Sequence, residues 1–481
     1  MPAPTIKQPS KHFTPTLYEG NGTAIGSGGK TITGLEFQPD LVWIKNRDAA
    51  DSHSLYDSSR GATKQIESDN TAAETTESEG LTSFTSDGFT LGNLDQVNTN
   101  NESFVGWNWK ASGGSAPSQT YTVKVVSDSG NKYRFDDFGT SAVTLDLQEG
   151  GTYTFDLSDS SVDGHPMKFS DTNGGSHNGG YTYSTGVVYK LDGVTKTESE
   201  YVNTTNFNAA TTRQIIITVA ASAPTLYYFC HYHANMGGAI NTNSTFGSSN
   251  FSGSIQSTVQ TNSDAGFSII TFTGTNAEDT VGHGLAQSPA WVISRNLDDT
   301  PHWAVYHKDL SSYAKTLQLS NNNAEQSSST MWDSKATTAD VINVKNNFGT
   351  NGSSDRMVMY AWHPVDGFSR FGSYQGNASS TGDGTFVYTA FKPAWVMVKK
   401  RSGSGNWVIM DSTRSPTNPV ATFFNADGDT EVDTASRQTD FLSNGFKLRG
   451  NNSATNASAT YVYMAFAELP FFDGESPVTA R

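Results

Sequence analysis

The chain's single cysteine, Cys230, stands three residues before His233 and six before Met236. A thiol, an imidazole and a thioether in the spacing C-x2-H-x2-M are the donors that a blue-copper ion takes, completed by a second imidazole. His165, 65 residues upstream of the cysteine, is placed to supply it. The C-x2-H-x2-M loop is too short to hold its donors far apart. Gly237-Gly238 lets the chain turn away directly behind Met236, and Gly164 permits a tight approach at His165. The four side chains are therefore expected to converge within one metal's reach. A competing reading stands beside this: a lone cysteine on a strand is commonly a small buried hydrophobe, and its neighbours would then be packing and polar filler. His177 and His231 are further imidazoles able to compete for a ligand position.

The elements that must position these residues are strands. Tyr121-Thr-Val-Lys-Val-Val126 and Thr152-Tyr-Thr-Phe-Asp-Leu157 alternate apolar and polar residues, and Gln214-Ile-Ile-Ile-Thr-Val219 is a longer apolar run. Tyr227-Tyr-Phe-Cys230 feeds the donor loop. Together with Gly151-Thr-Tyr-Thr-Phe-Asp156, these motifs make residues 119–240 resemble a cupredoxin, a Greek-key β-sandwich. That resemblance implies copper as the cofactor, His165 and His233 as imidazole ligands, Cys230 as the thiolate and Met236 as the axial ligand. One departure is Pro166. Many cupredoxins place there a residue whose amide supports the cysteine sulfur, and proline has no amide hydrogen to give.

The rest of the chain repeats itself. Pro39-Asp-Leu-Val-Trp-Ile-Lys45, Pro289-Ala-Trp-Val-Ile-Ser-Arg295 and Pro393-Ala-Trp-Val-Met-Val-Lys399 each read as a proline-led strand. Fourteen residues past each proline, His53, Trp303 or Trp407 opens a second strand. Upstream lie Tyr18-Glu-Gly-Asn-Gly22, Phe272-Thr-Gly-Thr-Asn276 and Tyr374-Gln-Gly-Asn-Ala378. Downstream, Asp87-Gly88 and Asn444-Gly445 are hairpin-turn dipeptides flanked by aromatics; the middle copy lacks a clear equivalent. The expected fold is all-β: three antiparallel β-sandwich (jelly-roll or lectin-like) modules at 1–112, 253–366 and 367–481, with the cupredoxin-like domain inserted at 119–240. Copies two and three meet with almost no linker and are expected to pack together.

The module from Phe13 to Ala111 resembles one that recurs in tail-fibre and other structural proteins of marine tailed phages, including those of cyanobacteria. The stretch from Gly253 to Gly274 and the ending Ala465-Phe-Ala-Glu-Leu-Pro-Phe471 resemble the same family. The resemblance implies a non-enzymatic virion component, tail-associated and acting in host attachment. Its implied partners are other virion proteins, further copies of itself and a host-surface glycan or protein. A capsid decoration or vertex protein, a copper-binding redox protein and a glycan depolymerase are the alternatives.

Composition agrees. The 481 residues are only 35% hydrophobic and 16% charged, with 45 glycines, as many short strands with polar turns require. A net charge of −16 disfavours nucleic acid and anionic membranes as partners. No apolar run approaches the roughly 20 residues of a spanning helix, so no membrane insertion is expected. Met1-Pro-Ala-Pro-Thr-Ile lacks the features of a signal peptide; assembly in the host cytoplasm is the expectation. Trp291 and Trp395 read either as core residues or as platforms for sugar rings. Asp57, His307 and Asp411 share one repeat position and read as polar strand ends. Asp427-Gly-Asp-Thr-Glu431 reads as a solvated turn.

Overall fold

The computed structural model describes residues 5–112, 117–243, 247–430 and 438–470. Residues 113–116 of the first linker, Glu431 of the acidic turn and the tail from Phe471 to Arg481 lie outside the described residues. The fold is all-β, with short helical turns only at a few loop positions. The chain divides into two compact units, residues 1–112 with 261–481, and residues 113–260.

The first unit holds all three repeats, and each builds a main sheet with one strand order. In repeat one the order is Phe13–Glu19, Ser103–Trp109, Leu41–Asn46, Ser54–Asp57, Lys64–Glu67 and Thr75–Thr76. Repeat two matches it with Phe267–Thr273, Arg356–Trp362, Trp291–Asn296, Ala304–His307, Lys315–Gln318 and Gln326–Ser327. Repeat three runs Ser369–Gln375, Thr460–Pro470, Phe391–Lys400, Trp407–Asp411 and Phe423–Asn425. The proline-led strand thus lies central in each sheet, and Leu41–Asn46 is buried at every residue. Burial on both faces explains its nearly unbroken apolar sequence.

The two faces serve different cores. Val42, Ile44, Tyr56 and Phe104 pack under the repeat's own small sheet, built from Lys30–Ile32, Gly88–Leu91 and Leu81–Thr85. Val396, Val398, Val408 and Met410 do the same in repeat three. The opposite faces of all three main sheets meet in one apolar cluster containing Trp43, Trp107, Trp109, Trp291, Trp303, Trp362, Trp395 and Trp407. The repeats therefore share a core. Trp291 and Trp395 are 0% exposed within it, which corrects the glycan-platform reading: a sheet covered on both faces offers no outward pleat for a sugar.

Equivalent residues tie the repeats together in one direction. The Trp303 indole N–H donates to the Glu67 carbonyl of repeat one at 2.8 Å, and Trp407 to the Gln318 carbonyl of repeat two at 2.8 Å. His53 closes the set on the Asn425 carbonyl of repeat three at 3.1 Å, its other ring nitrogen accepting from Trp43. A parallel set links the Tyr360 hydroxyl to Asp57 at 2.6 Å and the Trp107 indole to Asp411 at 3.1 Å. Asp57 and Asp411 are also paired with Arg60 and Arg414. The middle repeat replaces that pair by His307 and Leu310.

Each repeat also closes on a buried asparagine: Asn98, Asn351 and Asn456 accept from the backbone of Asn21, Thr275 and Asn377 at 2.8, 2.7 and 3.0 Å. The preceding Gly20, Gly274 and Gly376 leave no room for a Cβ, which would lie 2.0–2.1 Å from a carbonyl oxygen. That accounts for the shared glycine in the three upstream motifs. In repeat two, the fully buried Trp332 packs on Tyr306 and donates to Thr316, in the stretch that replaces the Asp-Gly hairpin. Asp40 is specific to repeat one. Its buried carboxylate accepts from the amides of Ala111 and Ser112 and the hydroxyls of Ser112 and Ser58, fixing the chain where it leaves the repeat.

The second unit is a two-sheet sandwich. One sheet orders Asn131–Phe135, Ser118–Ser127, Thr152–Asp156, Arg213–Thr218, Val187–Leu191 and Val194–Lys196. The other orders Leu145–Gln148, Gly238–Asn243, Leu226–Cys230 and Met167–Ser170. Tyr121, Phe135, Tyr153, Phe155, Phe169 and Tyr228 fill the space between them.

Candidate metal centre

Two neighbouring strands deliver the first two donors. Met167 lies opposite Cys230 in the antiparallel pairing of Met167–Ser170 with Leu226–Cys230. His165, just before one strand, and Cys230, at the end of the other, therefore emerge at the same sheet edge. Gly164 takes a left-handed φ of 78°, which a side chain would resist. The loop after Cys230 brings His233 back over the sulfur. It rejoins the sheet at Gly237, where a Cβ would lie 1.6 Å from the Tyr228 carbonyl oxygen, so only glycine fits.

Cys230 Sγ is 3.7 Å from His165 Nδ1 and 3.6 Å from His233 Nδ1. The three ligand atoms all lie within 4.8 Å of one another. Atoms so spaced are close enough for one ion to reach all three. Cys230 is buried, His165 half-buried and His233 exposed. Asn131 approaches His165 Nε2 at 3.4 Å, leaving Nδ1 to the sulfur. Met236 is buried in the same apolar cluster as Cys230, and its carbonyl accepts from the Tyr133 amide.

Burial pushes the Cys230 thiol up from its ordinary value, opposed by the Tyr232 and His233 amides and the neighbouring Tyr133 hydroxyl. Those donors surround the sulfur although Pro166 gives none; the Pro166 carbonyl instead accepts from the His231 amide. Burial, reinforced by His233, lowers His165. The shift favours the neutral imidazole, the form a metal binds.

His177 and His231 do not join the group. His177 Nε2 lies 2.8 Å from the Cys230 carbonyl, bracing the strand end, and the His231 ring packs on Tyr232. Tyr133 went unrecognised in the sequence. Its strand, Asn131–Phe135, alternates in burial, but only the folded sandwich brings its hydroxyl to the His165 carbonyl at 2.8 Å and to the sulfur.

The family model described as domain of unknown function DUF7483 matches residues 8–136 and 239–470. The chain belongs to that family. The unmatched stretch between, 137–238, contains His165, Cys230, His233 and Met236, so the donor set lies outside the matched residues. No curated protein matches the chain.

Proposed function

We propose that this family member is a structural protein of a tailed-bacteriophage virion, tail-associated and acting in attachment to the host surface, with a copper ion held in its inserted domain. The structural reading is carried by how the repeats use their polar groups. Asp57, Asp411, His53, Trp303 and Trp407, the residues best equipped for chemistry or ligand contact, are buried and bonded to a neighbouring repeat. Such a unit is a scaffold that leaves binding to its surface. The module's resemblance to phage tail-fibre proteins supports the same reading. Mass spectrometry of purified particles should find the chain in fixed copy number, and a reconstruction should locate it on the tail. Absence from particles overturns the proposal, and density on the head moves it to capsid decoration.

The copper reading rests on the convergence of His165, Cys230 and His233. A buried thiolate flanked by two imidazoles fits copper's preference for soft and borderline donors, and Met236 follows at the spacing of an axial ligand. These residues would hold the ion, which when bound supplies one-electron redox chemistry. The protein excludes water from the sulfur by burial and orients it through Tyr133 and the loop amides. Titrating the purified full chain with copper(II) should give one ion per chain and an intense thiolate-to-copper absorption in the visible. No such band, at any copper ratio, overturns this part.

A further inference from the structure

The small sheet of repeat three carries two exposed aromatic rings where the other repeats carry none. Phe386–Tyr388 is an edge strand in which Val387 is buried while Phe386 and Tyr388 are each 43% exposed. Alternate residues of a strand lie on one face, roughly 6.6 Å apart. Pairing registers fix their equivalents. Val387 opposes Phe446 as Ile32 opposes Phe89 and Val281 opposes Ile342. Phe386 thus corresponds to Thr31 and Thr280, and Tyr388 to Thr33 and Gly282. Two flanking positions change with them. Arg370, whose guanidinium lies 5.7 Å over the Tyr388 ring, corresponds by register to Thr14 and Ser268. Lys447, directly across from Phe386 and paired with Asp383, corresponds to Thr90 and Asn343. Repeat one forms the same three-stranded sheet and repeat two its paired-strand counterpart with small neutral residues at all four places, so this strand pairing does not require the two rings and two cations.

We infer that Phe386 and Tyr388, flanked by Arg370 and Lys447, form a binding platform for an acidic oligosaccharide. Aromatic faces stack on the C–H faces of pyranose rings, and the adjacent cations match carboxylate or sulfate groups on the chain. Size selects a saccharide over a protein partner. Two rings 43% exposed offer under about 200 Å² of apolar surface, whereas a standard protein interface takes about 800 Å² from each side. The proposal deepens the attachment reading by naming the ligand class and its site.

The test uses the purified full chain with a hexameric oligouronate and, for comparison, cellohexaose, read by titration calorimetry. The oligouronate should bind at micromolar to millimolar concentration and more tightly than cellohexaose. The double variant Phe386→Thr/Tyr388→Thr, which installs the sister repeats' chemistry, should weaken binding at least about tenfold with the melting temperature unchanged. Arg370→Thr/Lys447→Thr should remove the preference for the acidic chain. The inference is overturned if the native chain binds neither oligosaccharide, if the aromatic variant binds as well as the native chain, or if the native chain self-associates through this face and that variant does not. Saccharide binding that needs the two rings, in a chain absent from purified particles, would uphold the platform while removing the attachment reading.

Discussion

The buried histidines of the repeat unit and the facing pair His165 and His233 of the inserted unit are used in opposite ways. In the repeat unit His53, His283 and His307 are fully buried, and each has ring nitrogens bonded to main-chain groups: His53 to the Asn425 carbonyl, His283 to the Thr338 carbonyl and the Leu285 amide, His307 to the Asp309 amide. In the inserted unit His165 and His233 turn their Nδ1 atoms toward one sulfur and meet ring to ring at 4.5 Å. The difference teaches that burial alone does not mark a functional histidine. Where the backbone supplies a partner, the ring is consumed by the fold; where donors face one another, they are left for a ligand.

The largest expected effect is on the inserted unit. Cys230→Ser should abolish copper uptake, read by visible absorption and metal analysis, while the far-ultraviolet dichroism stays native, because a hydroxyl replaces the thiolate at similar size. Copper retained by that variant would break the comparison at its root. Next, Trp303→Ala removes a buried ring and its bond to Glu67; denaturant unfolding should show a loss of about 3–5 kcal/mol. A smaller cost would mean the repeats do not depend on their shared core.

Acid gives a third test. Burial lowers His307 to about 3 and His283 to about 4. The folded state prefers the neutral rings, so their contribution is complete above the unfolded value near 6.5 and is lost as pH falls through the folded values. The melting temperature should drop between about pH 6.5 and 3, and His307→Leu should flatten that slope; an unchanged slope would remove His307 from the account. The smallest effect is at Asp40. Asp40→Asn replaces one acceptor oxygen by a donor and should cost roughly 1–3 kcal/mol, measured by chemical unfolding. No loss at all would mean that the carboxylate is not what secures the exit from repeat one.

Much of this was legible from sequence because it is local. The proline-led strands, the glycine motifs and the donor loop each depend on residues within a few positions of one another, and their periods and spacings survive in the folded chain. What stayed hidden depends on register between distant segments. Trp291 and Trp395 look the same in sequence whether a sheet has one covered face or two, and only the meeting of three sheets decides it. Tyr133 reaches Cys230 across 97 residues through the stacking of two sheets, and no spacing rule points to it. Asp57, His307 and Asp411 are polar strand ends, as read from the repeat, but their burial and contacts were not legible there.

The hydrogen bonds between equivalent residues of the repeats have a consequence for chain order. In the Trp303, Trp407 and His53 bonds each repeat donates to the one before it and the first reaches back to the third, while the Glu74 and Glu325 amides donate the other way, to the Leu297 and Arg401 carbonyls. Such a head-to-tail contact closes into a ring when the last copy bonds back to the first, as it does here after three. The unit therefore has the contact pattern of a cyclic trimer made within one chain. In a closed ring no repeat is privileged as first. A circularly permuted chain beginning at the second repeat should keep every one of these bonds, and the junction after repeat one, where the insert enters, is one where the ring tolerates a break in its covalent path.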